Sequence, residues 1–185
     1  MSIQINYKNN SPQKTTTNMV LFVDEKFNIS NLKKYISNSE FSYISDLLKT
    51  SNLKKNLFIF EVSSKKKIVL ISIKKNLETA DIENLGAEFY GRINYKQKSE
   101  YFINSDSIHS KYENFIGYFL HGLKLKSYEF NIYKSKIDKK SISINIIGKK
   151  SKLTIKNELR FKAIEEGTFF ARDLVSEPPN VLNPK

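Results

Sequence analysis

Histidine side chains are the first residues to consider for metal or acid/base chemistry. The chain has two of them, His109 and His121, which lie twelve residues apart. Neither stands among carboxylates at a spacing typical of metal ligands. We interpret both as structural residues, on a loop or on the surface of a helix.

Four carboxylates near the end of the chain could form an acid/base cluster: Glu165, Glu166, Asp173 and Glu177. General acid/base catalysis needs such groups to converge on one reacting atom. At helical spacing these four point to different sides of a helix. The pattern therefore favours solvated charge over catalysis.

The neighbouring charges Arg172 and Asp173 have a different interpretation. We predict a structural salt bridge that fixes the helix carrying them, with ligand contact as the alternative.

Other catalytic patterns are missing from the sequence. The six glycines never cluster into a phosphate-binding loop, and no serine has the flanking glycines of a nucleophile elbow. We therefore predict no catalytic, cofactor-binding or metal-binding residue in this chain.

Composition limits the class of protein. The chain has 185 residues, 39% of them hydrophobic, and no apolar run approaches the roughly 20 residues of a membrane span. It has no cysteine, and its amino terminus lacks the pattern of a signal peptide, so we expect a cytoplasmic protein with no membrane partner.

The net charge of +12 makes nucleic acid a candidate partner. The positive charge is nearly all lysine, however, with arginine only at positions 92, 160 and 172. Guanidinium groups are the side chains that phosphate and base recognition favours. Most aromatic residues also fall on apolar stripes and are predicted to be core. A stand-alone basic nucleic-acid-binding module remains the alternative hypothesis.

Hydrophobic periodicity predicts an α/β fold with a mixed sheet. The strands at 57–62 and 68–73 are expected to form a hairpin. The strand at 3–7 is expected to lie at an edge of the sheet, beside a central strand at 19–23. Further strands are expected at 101–103, 127–134 and 142–146. Helices are expected over 30–50 in two pieces, from Thr79 to Asn94, from Ser110 onward, and over about 157–175. The last helix places one apolar face along Leu159, Ala163, Ile164, Gly167, Phe170, Ala171 and Leu174.

Three stretches carry a family resemblance, and they follow one another in order. The first runs from His121-Gly122-Leu123 to Tyr128-Glu129-Phe130 and Tyr133. The second is the isoleucine strand at 141–147 with the later Glu166-Gly167. The third is Ala171-Arg172-Asp173-Leu174 followed by Pro178-Pro179-Asn180. Together they resemble the leucyl (cytosol) aminopeptidase pattern, at the segment that couples the two domains of those enzymes.

The resemblance implies a domain organisation. Residues 1–150 would form the amino-terminal, non-catalytic domain, a three-layer αβα structure similar to macro-type domains. Residues 151–185 would be a linker helix and a proline-rich exit toward a catalytic domain absent from this chain. The domain would support packing and oligomer assembly, and the 185-residue fragment alone would be inactive.

The resemblance also implies an activity for the whole protein. Two divalent metal ions, Mn²⁺ or Zn²⁺, would lie in the catalytic domain and activate a bridging water that releases amino-terminal residues from peptides. The whole protein would be a homohexamer. A third hypothesis follows from the macro-type likeness, a site for a small phosphate-bearing ligand, although no glycine loop supports it.

Overall fold

The computed structural model describes residues 2–8, 17–93, 99–109, 112–135, 141–151, 153–179 and 181. Six strands form one sheet in the order β1-β6-β5-β2-β4-β3. Five of them are parallel, and β3 is antiparallel to β4. The strands are β1 Ser2–Tyr7, β2 Asn18–Asp24, β3 Leu57–Ser63, β4 Lys66–Ile73, β5 Ser99–Asn104 and β6 Ser141–Ile147.

The two most apolar strands lie side by side within the sheet. β2 and β4 pair in parallel from Met19 opposite Ile68 to Asp24 opposite Ile73. Their apolar side chains are buried on both faces, as continuous hydrophobic runs predict for strands covered on both sides.

Four α-helices connect and cover the strands: α1 Asn38–Thr50, α2 Thr79–Arg92, α3 Phe115–Lys126 and α4 Ile155–Ser176. α1 begins with a capping box, in which the Ser37 hydroxyl accepts from the amide of Glu40 and the Glu40 carboxylate accepts from the amide of Ser37. The hydroxyl of Thr154 caps α4 by accepting from the amide of Asn157. Pro178 follows α4 closely, consistent with a helix end there.

The sheet has helices on both faces. A 3-10 helix at Ser30–Lys34 and α1 pack on one face against Leu21, Ile68 and Leu70. α2 and α3 pack on the other face against Val20, Phe22, Val69 and Ile71. These two cores confirm the predicted αβα layering, the mixed sheet and the long final helix.

α2 and α3 approach closely because each contributes a glycine to their interface. A Cβ at Gly86 would lie 1.9 Å from the carbonyl oxygen of Phe119, and a Cβ at Gly122 would lie 1.9 Å from that of Glu83. A side chain at either position would force the helices apart.

The structure corrects several expected elements. Residues 127–134 form turns and irregular backbone instead of a strand, and Tyr128 packs on Phe169 of α4 and not on a sheet edge. β1 is an edge strand as predicted, but it pairs with β6 and not with central β2. α2 begins at Thr79 with Glu78 as the cap residue, and α3 begins at Phe115. The predicted boundaries at Asn94 and Ser110 lie outside the described residues.

Candidate functional site

α4 packs against α3 and the segment that follows it, and this contact contains four of the seven residues that the sequence suggested for chemistry: His121, Glu165, Arg172 and Asp173. Phe161 of α4 enters this contact, with its ring 5.0 Å from that of Tyr118 and edge-on to it. A Cβ at Gly117 would lie 2.5 Å from the Phe161 ring, so the absence of a side chain there makes room for it. α3 and α4 therefore meet through an aromatic contact that depends on the glycine at position 117.

A buried ionic cluster lies beside Phe161. One carboxylate oxygen of Glu165 is 3.1 Å from Nδ1 of His121, and the other accepts from the Lys124 ammonium at 2.8 Å. His121 and Glu165 are 4% and 6% exposed. The expectation of a helix-surface histidine and a solvated Glu165 was wrong for this pair. Each carboxylate oxygen has a partner on α3, so the cluster joins α3 to α4.

A second cluster fixes the far end of α4. The hydroxyl of Tyr128 donates to Asp173 at 2.7 Å, and the guanidinium of Arg172 lies over the Tyr128 ring at 5.4 Å. Arg172 also donates to the carbonyl of Leu125 at 2.6 Å. Partial burial and the hydrogen bond to Asp173 raise the pKa of Tyr128 above its ordinary value of 10.0.

The second cluster corrects the predicted salt bridge. Arg172 and Asp173 do fix the helix, but both do so through the segment that follows α3 and not by pairing with each other. No signal in the local sequence indicated Tyr128 as their shared partner, because it lies 45 residues from Asp173 in the chain.

The remaining predicted residues are not brought into either cluster. Glu166 is exposed and lies 3.8 Å from Lys162 one turn earlier, and Glu177 accepts a hydrogen bond from the Tyr133 hydroxyl. His109 is exposed and lies after β5, away from His121. Within the part of the chain that the structure describes, no three histidine, aspartate or glutamate side chains are arranged to hold a metal ion.

The predicted apolar face of α4 exists but is turned to solvent. Phe161 and Glu165 lie on the buried side of the helix, whereas Leu159, Phe170 and Leu174 are 61%, 65% and 39% exposed. At about 3.6 residues per turn, the exposed three lie within roughly a quarter of the helix circumference. We call Leu159, Ala163, Phe170 and Leu174 the outer face of α4. A helix that is apolar on the side facing water is typical of a surface that binds another protein or domain.

Sequence comparison identifies a relative for this arrangement. Over 118 residues the chain is 32% identical to a probable cytosol aminopeptidase of Rhizobium rhizogenes, a match that spans 60% of this chain and 24% of that protein. Over that stretch the chain is similar to a cytosol aminopeptidase. No protein-family model matches it.

Three solved structures share the fold. A mutant tomato leucine aminopeptidase superposes with a TM-score of 0.72 at 16% identity, over 99% of this chain and 40% of the tomato chain. The cytosol aminopeptidase of Coxiella burnetii gives 0.58 at 12% identity, over 94% of this chain and 34% of its own. The bottromycin maturation enzyme BotP gives 0.61 at 12% identity, over 92% and 35%.

The chain covers only part of each protein that it matches. It spans about a quarter of the curated relative and between a third and two fifths of the solved structures. The αβα fold matches the amino-terminal domain of the aminopeptidases. Among the described residues, no helix combines the length and apolar character needed to cross a membrane.

Proposed function

We propose that this chain is the amino-terminal domain of a metal-dependent leucyl aminopeptidase, and that the outer face of α4 packs against the catalytic domain. Residues 1–150 would form the domain, and 151–185 would lead out of it along α4. One observation supports this role. α4 is attached to α3 and to Tyr128 by one side, while its other side exposes Leu159, Phe170 and Leu174.

The proposed occupant follows from the size of the relatives. The aminopeptidases that match this chain are at least two and a half times as long as the part it covers. A further domain is therefore the partner that related proteins carry in the same polypeptide. If that further domain covers the outer face of α4, the exposure of this apolar surface in the isolated domain is explained.

The chemistry would belong to the partner domain. Its two divalent ions, Mn²⁺ or Zn²⁺, would polarise the peptide carbonyl and supply an activated water for release of the amino-terminal residue. The residues described in this chain do not fit such a metal site. Their contribution would be to hold α4 in place through Glu165 and Tyr128. We place the whole protein in the cytoplasm and infer a homohexamer from the same likeness.

The test uses the longer protein that contains this chain followed by its catalytic domain. Phe170→Asp with Leu174→Asp places two charges in the proposed contact. We expect kcat/KM for a leucine anilide in the presence of Mn²⁺ or Zn²⁺ to fall at least about tenfold, because displaced domains misplace catalytic groups. Native mass spectrometry should show loss of the hexamer.

The matched control is Ile132→Asp, since Ile132 is 64% exposed and Phe170 is 65% exposed. The control should keep full activity and assembly. The proposal is wrong if the longer protein has no metal-dependent activity, if the α4 variant behaves like the control, or if the 185-residue chain alone cleaves the substrate.

The structure does not favour the alternative of a dedicated nucleic-acid module. Arg92 lies 3.1 Å from Glu88, and Arg172 is held by Leu125 and Tyr128. Two of the three guanidinium groups are thus engaged within the protein. The large aromatic rings Phe22, Phe89 and Phe119 are buried in the core and cannot stack on bases.

A further inference from the structure

A crevice of about 700 Å³ lies outside the carboxyl ends of the central strands. It is lined by residues 23–26 at the end of β2, by residues 73–76 at the end of β4, and by His109 beyond β5. Its volume is within the range of about 300–1,000 Å³ that is common for small-molecule sites.

The chain connections explain why a crevice forms at this place. The chain leaves β2 toward the 3-10 helix and α1, which cover one face of the sheet. It leaves β4 and β5 toward α2 and α3, which cover the opposite face. β4 and β5 both pair directly with β2. Neighbouring parallel strands whose connections depart to opposite faces leave a gap between them, and open α/β sheets bind ligands in this gap.

The lining combines an apolar floor with a mostly cationic rim. Val23 and Ile73 are 2% and 8% exposed and belong to the ends of the strands. The rim carries three lysines, at positions 26, 74 and 75, against the carboxylates of Asp24 and Glu25. One Asp24 oxygen is already engaged, because it accepts from the backbone amides of Lys26 at 3.1 Å and Asn28 at 2.9 Å. Those bonds orient Asp24 but leave its charge in place, so three ammonium groups against two carboxylates give the rim a net charge of +1.

The turn that forms one wall of the crevice has an unusual backbone. Phe27 has a φ of 54°, a left-handed conformation that is costly for a bulky residue. Its ring is buried and packs edge-on against Phe58 at 4.9 Å, and its amide donates to the carbonyl of Asp24 at 3.0 Å. These contacts hold the 24–27 turn, and with it the Lys26 side of the rim, in one conformation.

We propose that this crevice binds a phosphorylated ligand of nucleotide size, with the phosphate at Lys26, Lys74 and Lys75 and an apolar ring over Val23 and Ile73. Lysine ammonium groups bind phosphate as point charges, so a glycine-rich loop is not required for this contact. The ring would cover the small part of Val23 and Ile73 that is exposed to water in the crevice. The proposal concerns a different part of the fold from α4, and it stands whether or not the aminopeptidase proposal does.

The test is calorimetric titration of the 185-residue chain with ADP, pyrophosphate and adenosine at physiological salt. ADP should bind saturably with one site, and pyrophosphate or adenosine at least about tenfold more weakly, because each supplies only half of the contacts. Lys74→Ala with Lys75→Ala should weaken ADP binding at least about tenfold.

The control removes the same charge elsewhere. Lys65→Ala with Lys162→Ala changes two exposed lysines. Lys65 immediately precedes β4, at the end of that strand opposite the crevice, and Lys162 lies on α4. It should leave ADP binding unchanged. The proposal is overturned if ADP does not saturate a site, if both double variants weaken it equally, or if pyrophosphate binds as tightly as ADP. Equal weakening would indicate attraction by net charge alone.

Discussion

A buried ion pair between Glu40 and Lys66 changes the pKa of the Glu40 carboxylate. Glu40 of α1 and Lys66 of β4 lie 2.5 Å apart, with side chains 11% and 5% exposed. Burial raises the pKa of Glu40, but the hydrogen bonds from Lys66 and the Ser37 amide outweigh it and place the pKa below its ordinary 4.5. The carboxylate is therefore charged in the folded protein at lower pH than in the unfolded chain.

This shift predicts a pH-dependent contribution to stability. A folded pKa below the unfolded one stabilises the fold above the unfolded pKa, and the stabilisation is lost as the pH falls through the folded pKa. Glu40→Gln should lower the free energy of unfolding by about 3 kcal/mol at pH 7, because it removes the negative charge that Glu40 places against the buried Lys66 ammonium. The difference from wild type should shrink below about pH 4.5. Urea unfolding at pH 7 and pH 3.5 measures both effects.

Glu61→Gln is the control for this prediction. Glu61 also pairs with a lysine of β4, Lys67 at 2.7 Å, but its side chain is 70% exposed. We expect a much smaller change in the unfolding midpoint, since water solvates both partners when the pair is broken. Equal losses in the two variants would show that burial does not determine the strength of these pairs.

At the scale of elements, the domain depends on two helices that pack at backbone contact. α2 and α3 bury Phe89, Leu85, Phe119 and Leu123 against one sheet face, and Gly86 and Gly122 set their separation. The same helices carry the partners of α4, since His121 and Lys124 belong to α3. The position of α4 thus depends on the α2–α3 contact.

Gly86→Ala tests the α2–α3 contact. The new Cβ would meet the carbonyl carbon of Phe119 at 2.8 Å and its oxygen at 1.9 Å, which requires a backbone shift. We expect a loss of about 1–3 kcal/mol in the free energy of unfolding, as is usual for overpacking.

Gly91→Ala is the matched control on the same helix. Nothing lies within 4 Å of the added Cβ, so helix propensity alone should act and stabilise the protein by about 0.5–1 kcal/mol. Thermal unfolding of the two variants should therefore shift in opposite directions. Stabilisation by both would mean that the helices can separate without cost.

For the molecule as a whole, the main property is its net charge of +12, part of which is paired with carboxylates of the same chain. Several lysines are committed within the protein, to Glu40, Glu61, Glu100 and Glu165. The remaining positive charge attracts polyanions without reading their sequence.

Salt dependence tests this interpretation of the charge. Fluorescence anisotropy with labelled DNA duplexes should show binding at low salt that falls steeply toward physiological salt, by orders of magnitude if several phosphates are contacted. Two duplexes of unrelated sequence should bind alike. Sequence-selective binding that persists at physiological salt would instead establish the nucleic-acid function.

Patterns within short stretches of sequence were enough to predict the helices and strands of this protein. The β3–β4 hairpin, the apolar central strands, the span of α4 and the α/β class were all predicted, because each depends on periodicity or chain breakers within a few residues. The ordered motifs from His121 to Pro179 also indicated the aminopeptidase relationship.

The contacts between distant residues, by contrast, became known from the three-dimensional fold. It paired β1 with β6, buried His121 against Glu165, brought Tyr128 to Asp173 in place of a strand, and left the outer face of α4 in water. Each of these contacts joins positions more than 40 residues apart, and the exposure of α4 depends on which of its sides α3 occupies. A local pattern shows that a residue is apolar or charged, whereas its partner is set by the packing of the whole chain.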